Sequence, residues 1–166
     1  MFTNIRSIRN KLIEFHSMVA IRNPDIICLV ETWLSPEIKN NIFKLPKYTI
    51  FRRDRKTKGG GILLALKAPW IGTLIENYGD EEMITVDLQY KNKKLLRVIG
   101  IYNPSFNNIT YMKKLFSALH SILLNESNIL LMGDFNLPIF TQTFTQESTK
   151  QQYKLFKSFL NKLESI

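Results

Sequence analysis

The chain has 166 residues, 45% of them hydrophobic and 22% charged, which is ordinary for a soluble globular protein and suits one domain over residues 1–166. No apolar run nears the roughly 18 residues of a membrane span. The N-terminal "MFTNIRSIRNK" also lacks the order of a secretory signal, so the chain reads as nuclear or cytoplasmic, with no membrane span. Lys+Arg number 23 against 14 Asp+Glu, a net charge of +9 that favours a polyanionic partner, nucleic acid or an anionic membrane surface, without choosing between them.

In chain order, Ile8, Leu12, Phe15 and Val19 fall at helical spacing, with Ser7 placed to cap the helix and Asn23-Pro24 to stop it. "DIICLVE" is short and uniformly apolar, as a buried strand is, and the single cysteine, Cys28, reads there as a packed residue. "KYTIFRR" and "GILLALK" predict two strands flanking the basic block "RRDRKTKGGG". In that block Arg52, Arg53, Arg55, Lys56 and Lys58 surround only Asp54, and it reads either as a solvated loop or as a contact to a phosphate backbone. "MITVDLQY" alternates, with Ile84, Val86 and Leu88 on one face, and "KNKK" turns it into "LLRVIGIY", a hairpin. Met112, Leu115, Leu119 and Ile122 mark a second helix, "NILLMGD" a further strand, and Phe156, Phe159 and Leu163 a closing helix. Helices mixed with crossover and hairpin strands predict an α/β layered sandwich.

Polar residues collect at the ends of these strands: Asn4 at the end of "FTN", Glu31 after "IICLV", Tyr102 at the end of "VIGIY", and Asp134 and Asn136 in "LLMGDFNLP". Ligands of open α/β sheets gather beyond strand carboxyl ends. Two carboxylates brought together there repel unless a cation or a shared proton intervenes. Oxygen donors of this kind suit Mg²⁺ or Mn²⁺. His16 and His120 lie inside helical patterns and read as helix residues without a catalytic role.

"NIRSIRNKLIEF", "NPDIICLVETWLSPEI", "FRRDRKTKGGGILLALK", "VIGIYNPS" and "LLMGDFNLP" follow one another in the order seen in the endonuclease/exonuclease/phosphatase superfamily. Taken together they most resemble the apurinic/apyrimidinic-type endonuclease domain of non-LTR retrotransposons. The resemblance implies a four-layer sandwich, two mixed β-sheets between helices, and cleavage of phosphodiester bonds with Mg²⁺ or Mn²⁺. It implies that Glu31 holds the metal, that Asp134 orients or deprotonates the attacking water, and that Asn136, Tyr102 and Asn4 bind the scissile phosphate. DNA is the implied partner, nicked to expose a 3′-hydroxyl, with the basic block on its backbone. A fused reverse transcriptase is implied for a longer relative.

The resemblance also carries departures. The family pattern continues with another aspartate and a Ser-Asp-His segment, and neither occurs before "SFLNKLESI" ends the sequence, so the sandwich is expected to be incomplete at its C-terminal end. Three readings follow: a metal-dependent DNA endonuclease domain, an inactive fragment that at most binds nucleic acid, and a phosphatase or lipid phosphodiesterase. The basic balance and the retrotransposon-like spacing weigh against the third.

Overall fold

Strands whose residues are apolar on both faces must be covered on both, and that requirement organises this chain. A computed structural model describes residues 1–75, 79, 81–104, 108–124, 126, 128–137 and 147–163. Its contacts divide it into two units, the first made of 1–102 with 128–134 and the second of 103–127 with 135–166.

The first unit holds two four-stranded mixed sheets. One is built from β1 (Phe2–Asn4), β2 (Ile26–Val30), β3 (Tyr48–Arg53) and β4 (Ile62–Lys67), in the order β1-β2-β4-β3, with β1 parallel to β2 and the other pairs antiparallel. The other is built from β5 (Ile71–Ile75), β6 (Met83–Tyr90), β7 (Lys93–Tyr102) and β8 (Ile129–Asp134) in sequential order, with only β7 and β8 parallel. Alternate residues of β2 and β4 face opposite ways. Ile27, Leu29, Leu63 and Ala65 join Phe15 and Val19 of α1 (Leu12–Arg22) and Phe43 of a short 3₁₀ turn (Asn40–Phe43) in one core. Cys28, Val30, Ile62, Leu64 and Leu66 meet Ile84, Val86, Leu88, Val98 and Tyr102 in a second core, between the sheets. The stripe expected of Ile84, Val86 and Leu88 is therefore the inter-sheet face of β6.

Three local expectations need correction. Ser7 does not cap α1, which begins at Leu12. Ile5, Ser7 and Ile8 instead donate backbone N–H groups to the carbonyls of Val30, Glu31 and Thr32, so this segment runs beside the exit of β2 before the helix starts. Ile8 is fully buried, but as a loop residue. The hairpin turn is only Lys91-Asn92, both at positive φ (49° and 61°), and β7 already starts at Lys93. Positive φ at both central positions matches the right-handed twist of the flanking strands. Strand β5 carries no clear alternation; it is an edge strand whose Ile71 and Leu74 are exposed.

The second unit contains α2 (Ile109–Leu123) and α3 (Glu147–Leu163). Asn108 caps α2 by accepting the Tyr111 N–H at 2.9 Å. Met112, Leu115, Phe116, Leu119 and Leu123 are buried, and Ile122 is only half-buried. The Phe116 and Phe159 rings stack at 4.8 Å, and Phe135 and Phe156 complete an aromatic cluster that ties α2 to α3. The side chain of Leu163 lies outside the described residues. Among the described residues no helix is long and apolar enough to cross a membrane.

Candidate active site

Parallel pairing aligns strand ends, and both sheets of the first unit contain one parallel pair. In the first sheet Asn4 is opposite Val30, which puts Glu31 one residue beyond that edge. In the second, Tyr102 is opposite Asp134. The two edges meet. Asn4 Nδ2 donates to Asp134 Oδ2 at 2.9 Å, a hydrogen bond between residues 130 apart in sequence. Four of the five expected site residues, Asn4, Glu31, Tyr102 and Asp134, thus belong to strand ends of the first unit.

Each is held differently. Glu31 sits at φ 58° and Trp33 at φ 54°, in the left-handed region that non-glycine residues seldom occupy. Strain of this kind persists only where surrounding structure fixes it. Here Thr32 N–H donates to Gly61 O and Trp33 N–H to Gly60 O, while the Trp33 indole Nε1–H donates to the Glu31 carboxylate. Asp134 follows Gly133, where an added Cβ would collide with the Ile101 carbonyl, so only glycine lets β8 lie this close to β7. Tyr102 is 7% exposed, its ring belongs to the inter-sheet core, and its N–H donates to Glu82 O at 2.9 Å. Asn136 belongs to the second unit. It is exposed, at φ 47°, and its Nδ2 donates to Asn103 O at 2.7 Å, while Asn103 Nδ2 donates to Phe135 O at 2.8 Å.

Glu82 supports the turn after Glu31 and was not among the residues the sequence singled out. It is 7% exposed, immediately before β6, and its Oε2 accepts the Gly61 N–H at 2.7 Å while Oε1 pairs with Arg55 Nε at 3.2 Å. Gly60, at φ 68°, packs directly on this carboxylate, and a Cβ there would lie 2.5 Å from Oε2. Glu82 therefore clamps the glycine turn whose carbonyls hold Thr32 and Trp33, the residues just after Glu31. Burial pushes the Glu82 carboxyl above the usual carboxylate range, and the neighbouring Glu31 charge acts in the same direction, opposed by the Gly61 N–H and Arg55. The available signal was a pair of acids, Glu81 and Glu82, abutting an alternating strand.

The basic block divides by environment. The Arg52 guanidinium is saturated by Asp54, Asn40 Oδ1 and the carbonyls of Ser35 and Ile38, so it fastens the loop rather than facing a ligand. Arg53 donates to Gly79 O, and Arg55 is paired with Glu82. Lys56 and Lys58 are exposed and have no ion-pair partner among the described residues. Of the two histidines, His16 Nε2 lies 2.6 Å from Phe43 O and fixes the 3₁₀ turn, and His120 lines a groove between α2 and α3. Burial pushes the Cys28 thiol up to about 12, which makes it an inert core residue.

The donor set suits a hard divalent cation. Glu31 supplies a carboxylate, and Asn4 Oδ1 is buried with no hydrogen-bond partner among the described residues. No group of three or more His, Cys, Asp or Glu side chains converges among those residues. Few protein ligands with water and phosphate completing the shell is the usual mode for Mg²⁺.

The sequence matches the Endonuclease/Exonuclease/phosphatase family over residues 1–152, and the chain belongs to that family. A 3′-5′ exonuclease from Neisseria meningitidis has the same fold, with a TM-score of 0.71 at 16% identity, covering 96% of this chain and 69% of that one. An AP endonuclease from Archaeoglobus fulgidus gives 0.66 at 19% identity, covering 95% and 68%. The endonuclease domain of TRAS1, a telomere-specific non-LTR retrotransposon, gives 0.69 at 8% identity, covering 95% and 68%. No curated protein sequence matches the chain.

Proposed function

We propose that this chain is a divalent-metal-dependent phosphodiesterase domain acting on DNA, and that its reaction is a nick leaving a 3′-hydroxyl. The observation that carries this reading is the Asn4–Asp134 hydrogen bond across the two sheet edges. An amide N–H that fixes one carboxylate oxygen holds the other in a defined direction, as a water-activating base requires. Asp134 takes a proton from water, whose oxygen attacks phosphorus as the bond to the 3′ oxygen breaks; that oxygen takes up a proton from solvent to become the 3′-hydroxyl, and the phosphate stays on the 5′ end. Tyr102 donates a hydrogen bond to the phosphate, a role that the motif resemblance also implies for Asn136. Glu31, with the amide oxygen of Asn4, would hold Mg²⁺ or Mn²⁺. A cation there supplies stabilisation of charge on the phosphoryl and leaving oxygens.

Lys56, Lys58 and Arg53 contribute sequence-independent attraction to the DNA backbone. DNA as the partner has support from a fold relative, a Neisseria 3′ phosphatase bound to a product DNA hairpin. The retrotransposon setting, and a reverse transcriptase fused in a longer protein, rest on the motif spacing.

The test is purified chain on supercoiled plasmid with Mg²⁺, beside Asp134→Ala to report contaminating nuclease, and beside a 3′-phosphorylated oligonucleotide. Nicking that disappears in the variant supports the reading. Phosphate release without nicking would replace it with a phosphatase, and DNA binding without either reaction would leave an inactive binder.

A further inference from the structure

The two left-handed residues after β2 turn the Trp33 side chain out of the core, leaving it 43% exposed. A single exposed aromatic is unremarkable on its own, but two further observations concern this one. Its indole edge is pinned by the hydrogen bond from Nε1 to the Glu31 carboxylate, so binding would cost it little rotamer freedom. It also lines a groove of about 380 Å³ shared with Arg9, Asn10, Arg55, Lys56 and Lys58. Arg55 is engaged by Glu82. Arg9, Lys56 and Lys58 have no ion-pair partner among the described residues, so the groove keeps uncompensated positive charge around an aromatic surface.

That combination selects a ligand chemistry. A duplex backbone needs cations but no aromatic, and an apolar ligand needs no cations. An unstacked nucleotide needs both: a π surface for its base and cations for the flanking phosphates. We infer that this groove is a subsite for one unpaired nucleotide of a DNA strand, stacked on Trp33 next to Glu31. The inference rests on the DNA-directed reading above and narrows its substrate to strands with an unpaired base beside the scissile bond.

Trp33 and Trp70 are the chain's two tryptophans, so Trp70→Phe leaves Trp33 as the only indole reporter. In EDTA, where hydrolysis plays no part, the probes are a short thymidine oligomer, an abasic strand of equal length and a blunt duplex. The thymidine oligomer should quench Trp33 and bind on the order of ten-fold tighter than the abasic strand. The duplex should leave the emission unchanged. Trp33→Leu should erase the preference for bases and keep the abasic affinity, and replacing Lys56 and Lys58 with serine should weaken both strands alike. Trp33→Phe should keep part of the preference, which serves if circular dichroism shows the leucine variant unfolded. Equal affinity for base-bearing and abasic strands with unchanged emission overturns the subsite, as does equal quenching by the duplex. Both results leave hydrolysis to be judged by plasmid nicking, and loss of nicking with quenching intact would sink the hydrolase while the subsite stands.

Discussion

Asn4 and Asp134 end strands of different sheets, and a 2.9 Å hydrogen bond from the Asn4 amide to the Asp134 carboxylate joins them. The bond joins the edges of the two sheets and fixes one oxygen of the Asp134 carboxylate. Asn4→Ala should cost about 1 kcal/mol of stability, the usual net worth of one hydrogen bond. It should lower nicking by roughly ten- to a hundred-fold, as losses of orienting partners around metal sites do. Urea melts and plasmid nicking measure the two effects, and normal nicking in a destabilised variant would show that the bond only holds the fold.

Metal binding should raise stability by mass action. At about a hundred times Kd, Mg²⁺ or Mn²⁺ should add about 2.7 kcal/mol. Glu31→Gln removes a charge without changing size and should abolish most of that gain while leaving the metal-free Tm nearly unchanged. A melting temperature of the unsubstituted protein that ignores millimolar divalent ions would count against a preformed site.

Glu82 offers a test of the glycine clamp. Glu82→Ala leaves the Gly61 N–H and the Arg55 guanidinium without their acceptor, and burying unmatched donors costs roughly 1–3 kcal/mol. Glu82→Gln keeps an acceptor for Gly61 and should cost less. Denaturant midpoints of the two variants give the comparison, and equal losses would mean that the ion pair rather than the backbone hydrogen bond is what matters.

Within the basic block, chemically similar residues should behave oppositely. Arg52→Ser strips four acceptor groups of their donor and should lower Tm with little effect on DNA affinity per folded molecule. Replacing Lys56 and Lys58 with serine should leave Tm alone and flatten the log K against log salt slope, by about 0.9 for each phosphate no longer neutralised. Fluorescence anisotropy across a salt series, with thermal melts of the same samples, separates the two roles.

Cys28 sets a pH dependence. The unfolded thiol loses its proton from about 8.5 upward, whereas the folded thiol holds it to about 12. Between those values the native state binds the extra proton, so this contribution is fully present below about 8.5 and lost as pH rises toward 12. Cys28→Ala should show a shallower alkaline decline than the unsubstituted chain. Alkylation by iodoacetamide at neutral pH should need prior unfolding, and rapid labelling of native protein would contradict the burial.

Periodicity and residue type made most of the framework legible from the sequence. The buried strand around Cys28, the alternating β6, the helical stripes of α1 and α2 and the strand ending in Gly133-Asp134 are local patterns, and the structure contains each of them. The order of the quoted motifs carried the family as well. Events between segments distant in the chain were not legible. Ile8 keeps helical spacing yet is buried as a loop residue, because its backbone pairs with Thr32 rather than with its own helix. Arg52 and Lys58 carry the same charge in one short run, but only tertiary packing brings Ser35, Ile38 and Asn40 to the first and leaves the second in solvent. Glu82 looks like a surface acid until the second sheet brings it under Gly60 and Gly61. Sequence therefore determined which groups were present and which strands would carry them. Tertiary structure decided which were desolvated and what faced them, because burial and partner distance are set by packing between distant segments that no local pattern encodes.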